Sequence, residues 1–137
     1  MLFRSKKPLP YEERITQKYA FIVAYGDVSD NVATNLMALP AGTVVKSVSV
    51  TVTTNWNSGT SAAASVGTTA SGTAYINGVN LLAAGSEYYL YNTGAIITAA
   101  SQYLTVTVDV DGTAATAGQM TIIVEVEDRT ATGVPTS

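Results

Sequence analysis

The sequence predicts an all-β fold: an antiparallel β-sandwich, jelly-roll-like, of about eight strands, preceded by an extended N-terminal arm. Three stretches carry this prediction. In residues 39–54, Val48, Val50 and Val52 fall on one parity, and Ser47, Ser49, Thr51 and Thr53 on the other. Further on, Leu104, Val106, Val108 and Val110 alternate with Thr105, Thr107 and Asp109. Met120, Ile122, Val124 and Val126 then alternate with Thr121, Ile123, Glu125 and Glu127. Alternation built on β-branched residues marks a strand with one face on a core and one in water. Three such strands in 137 residues require sheets stacked on each other or closed on themselves, and half-solvated sheets are antiparallel.

In chain order, residues 1–17 form the arm. Pro8 and Pro10 keep the backbone extended through Leu9, while residues 11–17 suit either one helical turn or more arm. The sandwich domain takes residues 18–129, and a tail with Gly133 and Pro135 takes residues 130–137. Residues 18–25 read as the first strand, with Tyr19, Phe21, Val23 and Tyr25 on one parity and Ala20, Ile22 and Ala24 on the other. Both faces are apolar, so this strand is expected to be buried on both sides or to lie against a partner. Residues 26–31 are turn material, and residues 32–39 lead as a short strand into Leu39-Pro40-Ala41-Gly42, read as a type I turn with Gly at its last corner. The long central strand follows.

Residues 55–60 make a polar loop carrying the single tryptophan, Trp56. A short strand at 62–67 and a loop at 68–72 precede Asn77-Gly78, a two-residue hairpin signal. Residues 87–91 (EYYLY) form an aromatic strand ending at an Asn92-Thr93-Gly94 turn, with a short edge at 95–98. The two long C-terminal strands are joined by residues 111–118, too many for a tight turn and therefore an exposed tip.

Composition sets the outer limits. A chain of this length buries roughly 70% of its unfolded surface without metals or disulfides. There is no cysteine, so no disulfide scaffold is implied and a reducing cytoplasm permits folding. The start, MLFRSKKPLP, is not followed by an apolar h-region, and no apolar run approaches the ~20 residues of a membrane helix. No membrane partner is expected. Charge is uneven: residues 1–18 hold Arg4, Lys6, Lys7, Arg14 and Lys18 against Glu12 and Glu13, and the remaining residues hold Lys46 and Arg129 against eight acids. A basic arm thus precedes an acidic body. Such an arm is either a solvated terminus or a segment that docks on an acidic neighbour. Phe3, Leu9 and Tyr11, interleaved with Arg4, Lys6, Lys7 and Arg14, favour docking, because a purely solvating tail has no use for apolar residues. The acidic body, with no basic-aromatic patch, argues against nucleic acid.

Catalytic chemistry is sparse. Without His or Cys, Ser-His-Asp and Cys-His nucleophiles and the usual zinc sites are excluded. Asp109/Asp111 and Glu125/Glu127, two apart on strands, share a face and could pair as in glycoside hydrolysis, but outward carboxylates on a sandwich chiefly solubilise it. Asp109-Val110-Asp111-Gly112 resembles a calcium loop, except that its Gly comes too early and no ligand series follows. The reading is of a non-enzyme without cofactor or metal. Trp56 and Tyr88, Tyr89 and Tyr91 could serve as sugar-stacking rings. The preferred reading puts Tyr89 in the core and leaves Tyr88 and Tyr91 at the surface or at a subunit contact where the chain self-associates.

Three segments carry a family resemblance: LPAGTVVKSVSVTVTTNWNSGTSAAASVG, NGVNLLAAG and LTVTVDVDGTAATAGQMTIIVEVED. Together they resemble small structural proteins of tailed bacteriophages, over residues 39–127. The arm lies outside the match. Some such proteins are capsid decoration, or cement, proteins with a jelly-roll-like sandwich that sit as oligomers on the shell. Others belong to tails or fibres. The resemblance implies a virion structural protein made in the host cytoplasm, placed on the capsid exterior and bridging subunits of the major capsid protein. A carbohydrate-binding or host-adhesion module and a tail or head-completion component are the alternatives.

Overall fold

The Val/Thr alternation becomes eight strands in two four-stranded antiparallel sheets, a β-sandwich as the sequence predicts. The computed structural model describes residues 15–82, 88–98 and 101–128. Its strands are β1 (Ile15–Ala24), β2 (Thr34–Leu39), β3 (Thr43–Thr54), β4 (Ser61–Thr68), β5 (Ile76–Asn80), β6 (Tyr88–Ile96), β7 (Gln102–Asp111) and β8 (Gln119–Asp128). One sheet has the order β1-β8-β3-β6, the other β2-β7-β4-β5. The pairing is nested: β1 with β8, β2 with β7, β3 with β6, and β4 with β5.

The apolar parities meet between the sheets. Val45, Val48, Val50, Val52 and Ile122 from one side pack in a single cluster with Ala64, Val66, Leu104 and Val106 from the other, all fully or almost fully buried. Each buried Val or Leu contributes about 1.5–3 kcal/mol relative to exposure, so this interior is what commits the strand parities. The other parity departs from the expected solvation at Ser49, which is buried on β3, and at two further points. Thr105 is buried, paired between Asn35 of β2 and Gly67 of β4, and Gly67 has backbone of the 71–74 loop packed where a side chain would be. Glu127, expected on a solvated face, is only 6% exposed.

Several boundaries move. β1 begins at Ile15, three residues before the expected start. The turn into β3 lies one residue on: Thr43 N–H donates to Pro40 C=O at 3.1 Å, and Gly42 takes φ +96°. Positive φ at that third corner is the type II requirement, not type I. Asn77-Gly78 is no hairpin tip but lies inside β5, where the register slips against Ala64/Ser65 and Gly78 adopts φ +87°. Gly78 N–H donates to Ser65 Oγ at 3.2 Å. The β4–β5 reversal is made instead by residues 68–75, where Ser71 N–H bonds Thr68 C=O. Asn92-Thr93-Gly94 likewise does not end its strand. It is a second bulge inside β6, facing Lys46 between the pairs Ser47–Asn92 and Val45–Ala95, with Gly94 at φ +89°. The expected edge at 95–98 is therefore the end of β6.

Candidate interaction surfaces

The outward face of the β1-β8-β3-β6 sheet carries exposed apolar side chains among its polar ones. The register lines up Ala20, Ile123, Ser49 and Leu90 as one row across all four strands. Next to it lies the row Ile22, Thr121 and Thr51, and on its other side Lys18, Glu125, Ser47 and Asn92. Ile22 is 66% exposed, and Leu90, Ile96 and Ile123 are also exposed. Ser47 and Ser49 are short, so the middle of the face sinks between Leu90 and Ile123 into a depression of about 310 Å³. The first strand is thus apolar on both faces as read from sequence. Tyr19, Phe21 and Val23 pack on the core, while Ala20 and Ile22 remain uncovered. Exposed apolar side chains grouped on one face mark an interaction surface rather than ordinary scatter.

A second feature lies at the end of the sandwich where β1, β3 and β7 finish. A 3-10 turn (Tyr25–Asp27) closes β1, with Asp27 Oδ2 accepting from Ala24 N–H at 2.8 Å. The following segment bridges β7 through Asp30 and Val108, and Asp30 Oδ1 accepts from Val110 N–H at 2.7 Å. The 111–118 tip is laced to the loop after β3. Asn57 Oδ1 accepts from Thr116 N–H at 2.7 Å and Ala117 N–H at 3.0 Å, and Gly59 N–H donates to Thr113 C=O. Between these segments is a cavity of about 180 Å³ lined by Val28, Asp30, Trp56, Val108, Val110 and Ala115 among others. Trp56 is 2% exposed, and its Nε1–H, buried, has no acceptor.

At the open side between the sheets, Tyr91 of edge strand β6 stands opposite Val48, on the inward parity, yet is exposed. Its ring lies 6.4 Å from that of Tyr75 at 35°. Burial first, and the neighbouring Tyr91 second, push the Tyr75 phenol above its ordinary pKa. Tyr88 stands opposite Thr51. Of the proposed self-association pair, Tyr91 is exposed, and on the outward face it is Leu90 that is displayed.

Phe3, Arg4, Lys6, Lys7, Leu9, Tyr11 and Arg14 lie outside the described residues. The carboxylate pairs do not form one site. Asp109 and Asp111 are exposed on β7, Asp109 Oδ1 accepting from Asn31 Nδ2 at 3.2 Å, whereas Glu125 and Glu127 are on β8 in the other sheet. Ser47 Oγ donates to Glu125 Oε1 at 3.5 Å, a weak contact. Among the described residues no group of three or more His, Cys, Asp or Glu could hold a metal, and no helix is long and apolar enough to cross a membrane. Trp56, a candidate stacking ring, is buried and cannot present its face to a sugar. The cavity escaped sequence reasoning because its walls come from three separated segments. The apolar outward face was foreshadowed only by Ala20 and Ile22.

No protein-family model and no curated protein matches the chain. Solved structures do. A chain of the cyanophage Pam1 capsid asymmetric unit superposes with a TM-score of 0.68 at 18% identity, covering 83% of this chain and 85% of that one. A chain of the acidic stable capsid structure of Helicobacter pylori bacteriophage KHP30 superposes with a TM-score of 0.54 at 17% identity, covering 82% and 92%. The chain thus shares its β-sandwich fold with phage capsid proteins.

Proposed function

We propose that this chain is a virion structural protein that binds the outer surface of a phage capsid and stabilises it by bridging neighbouring subunits of the major capsid protein. The observation that carries this reading is the set of exposed apolar side chains, Ile22, Leu90 and Ile123, on one outward face, on a fold shared with chains of two phage capsids. Covering that face removes apolar area from water at about 25 cal/mol per Å². The sandwich sits on the shell through it, and the basic arm reaches an acidic neighbour. Two weak contacts held by one chain act together through effective concentration. The role is mechanical, with no chemical step. Burial of Trp56 takes support away from the sugar-binding alternative. The test is to image particles carrying the protein at low resolution. Density repeated over the shell exterior supports the proposal; density at the tail or a single vertex replaces it with a tail or head-completion role.

A further inference from the structure

The cavity at the end of the sandwich has a chemistry complementary to the N-terminal segment of the same chain. We infer that the basic, apolar arm of one copy docks in this acid-rimmed cavity of a neighbouring copy, linking molecules head to tail. The inference deepens the proposed shell-binding role, on which it rests for its setting, by naming the acidic neighbour that the arm meets.

Three independent observations converge. The first is charge: Asp30 lines the cavity, and Asp27 and Asp111 are exposed on the segments that wall it. Residues 25–31, 56–60 and 108–119 contain no Lys or Arg. The arm offers Arg4, Lys6, Lys7 and Arg14 to this rim, with Phe3, Leu9 and Tyr11 for its Val28, Val108 and Val110 walls. The second is the unpaired indole. Trp56 lines the cavity with a buried Nε1–H that has no acceptor, and a buried donor strongly favours a partner. By sequence, Pro8 and Pro10 favour extended backbone and offer carbonyls without N–H groups of their own. The third is direction. β1 spans ten residues, so at about 3.4 Å per residue Ile15 lies roughly 30 Å from the Tyr25 end where the cavity is. The arm leaves the opposite end of the molecule. Its own cavity requires a full reversal along the sandwich, whereas a copy placed end to end meets it directly. Such a contact is heterologous and repeats from copy to copy.

Complementary charge reversal in the full-length chain tests this. One variant carries Arg4→Glu, Lys6→Glu and Lys7→Glu. The other carries Asp111→Lys and keeps Asp30, whose carboxylate holds the Val110 N–H. Sedimentation velocity over a range of concentration and salt reads association, and Trp56, the single tryptophan, reads occupancy of the cavity by its emission. The native chain is expected to associate, more weakly as salt rises, with an emission change that tracks association. Each variant alone should associate about tenfold more weakly or less, and their equimolar mixture should recover both signals. Circular dichroism checks that each variant is folded; if the lysine unfolds the tip, Asp111→Asn reads the same loss on a smaller scale. A native chain that stays monomeric overturns the inference. So does a variant that associates as the native chain does, a folded mixture that stays monomeric, or an emission change without association. Any of these leaves shell attachment standing, since that is read separately from occupancy of particles.

Discussion

Gly118 lies flat against the indole of Trp56: a Cβ built on Gly118 falls 2.5 Å from Trp56 Cγ, and the glycine holds φ +146°. This contact closes the end of the core where β8 begins. It also places the 111–118 tip, since Tyr25 N–H donates to Gly118 C=O at 3.0 Å. Gly118→Ala meets both a backbone conformation that disfavours a side chain and a buried ring that cannot retreat. We expect a loss of about 2–4 kcal/mol, read by urea unfolding followed through Trp56 emission.

Gly78 separates the two effects. It has φ +87°, and nothing lies within 4 Å of the position a Cβ would take, so Gly78→Ala carries backbone strain alone. The expected cost is about 1–2 kcal/mol, clearly below that of Gly118→Ala in the same unfolding experiment. Equal costs would mean that the bulge in β5 makes contacts beyond its backbone geometry.

These glycines also show why part of the fold was legible in the sequence and part was not. The parity of Val48, Val50 and Val52 is a statement about burial, and burial on one face leaves a period of two that can be read directly. Asn77-Gly78 and Asn92-Thr93-Gly94 state only that positive φ is needed. A hairpin tip and a bulge share that need, and the difference lies in pairing partners 13 residues away for Gly78 and Ser65, or across the sheet for Gly94 and Lys46. The outward apolar row was hidden for a related reason. Ala20, Ile123 and Leu90 are ordinary residues in their own strands and become a patch only when the register of β1, β8, β3 and β6 aligns them.

Burial of Trp56 changes what its substitution can test. Trp56→Ala removes a core side chain and is expected to cost about 3–5 kcal/mol, so loss of any binding in that variant would report unfolding. Trp56→Phe keeps most of the apolar contact and drops the N–H. We expect no glycan to be retained on an array by the native chain or by Trp56→Phe. A glycan retained by the native chain and lost in a folded Trp56→Phe variant would restore the adhesion reading.

Tyr75 supplies a pH signature. Burial, and then Tyr91, raise its pKa in the folded chain, so on raising the pH above about 10 the unfolded chain loses this proton first. The unfolded state then binds fewer protons than the folded one, and stability falls with pH between the unfolded and the folded value. Below that window the group contributes no slope. Thermal melts from about pH 9 to about pH 11 should show an alkaline loss in the native chain that is smaller in Tyr75→Phe. Identical slopes would place Tyr75 in ordinary solvent.

The last prediction separates the two attachments proposed for the shell. β1 starts at Ile15, and Gln17 and Lys18 pair with Val126 and Glu125, so an arm deletion that runs to residue 17 removes part of an edge strand. Removing residues 1–14 leaves β1 whole, and the truncated chain is expected to fold and to occupy particles more weakly. Replacing only Arg4, Lys6 and Lys7 with Ala should cost less, since exposed ion pairs contribute about 0.2–1 kcal/mol each and are screened by salt. The outward face should behave differently. Ile22 projects into water at 66% exposure, so Ile22→Lys should leave folding stability within about 0.5 kcal/mol. On the shell the same change buries a charge in an apolar contact, which is strongly unfavourable unless the charge is paired. Its loss of occupancy should persist at every salt concentration, whereas the loss from the Arg4, Lys6 and Lys7 replacements should shrink as salt rises and weakens the native contact. Sedimentation of particles with each variant over a salt series distinguishes the two. If Ile22→Lys occupies particles as fully as the native chain, the outward face does not carry shell attachment.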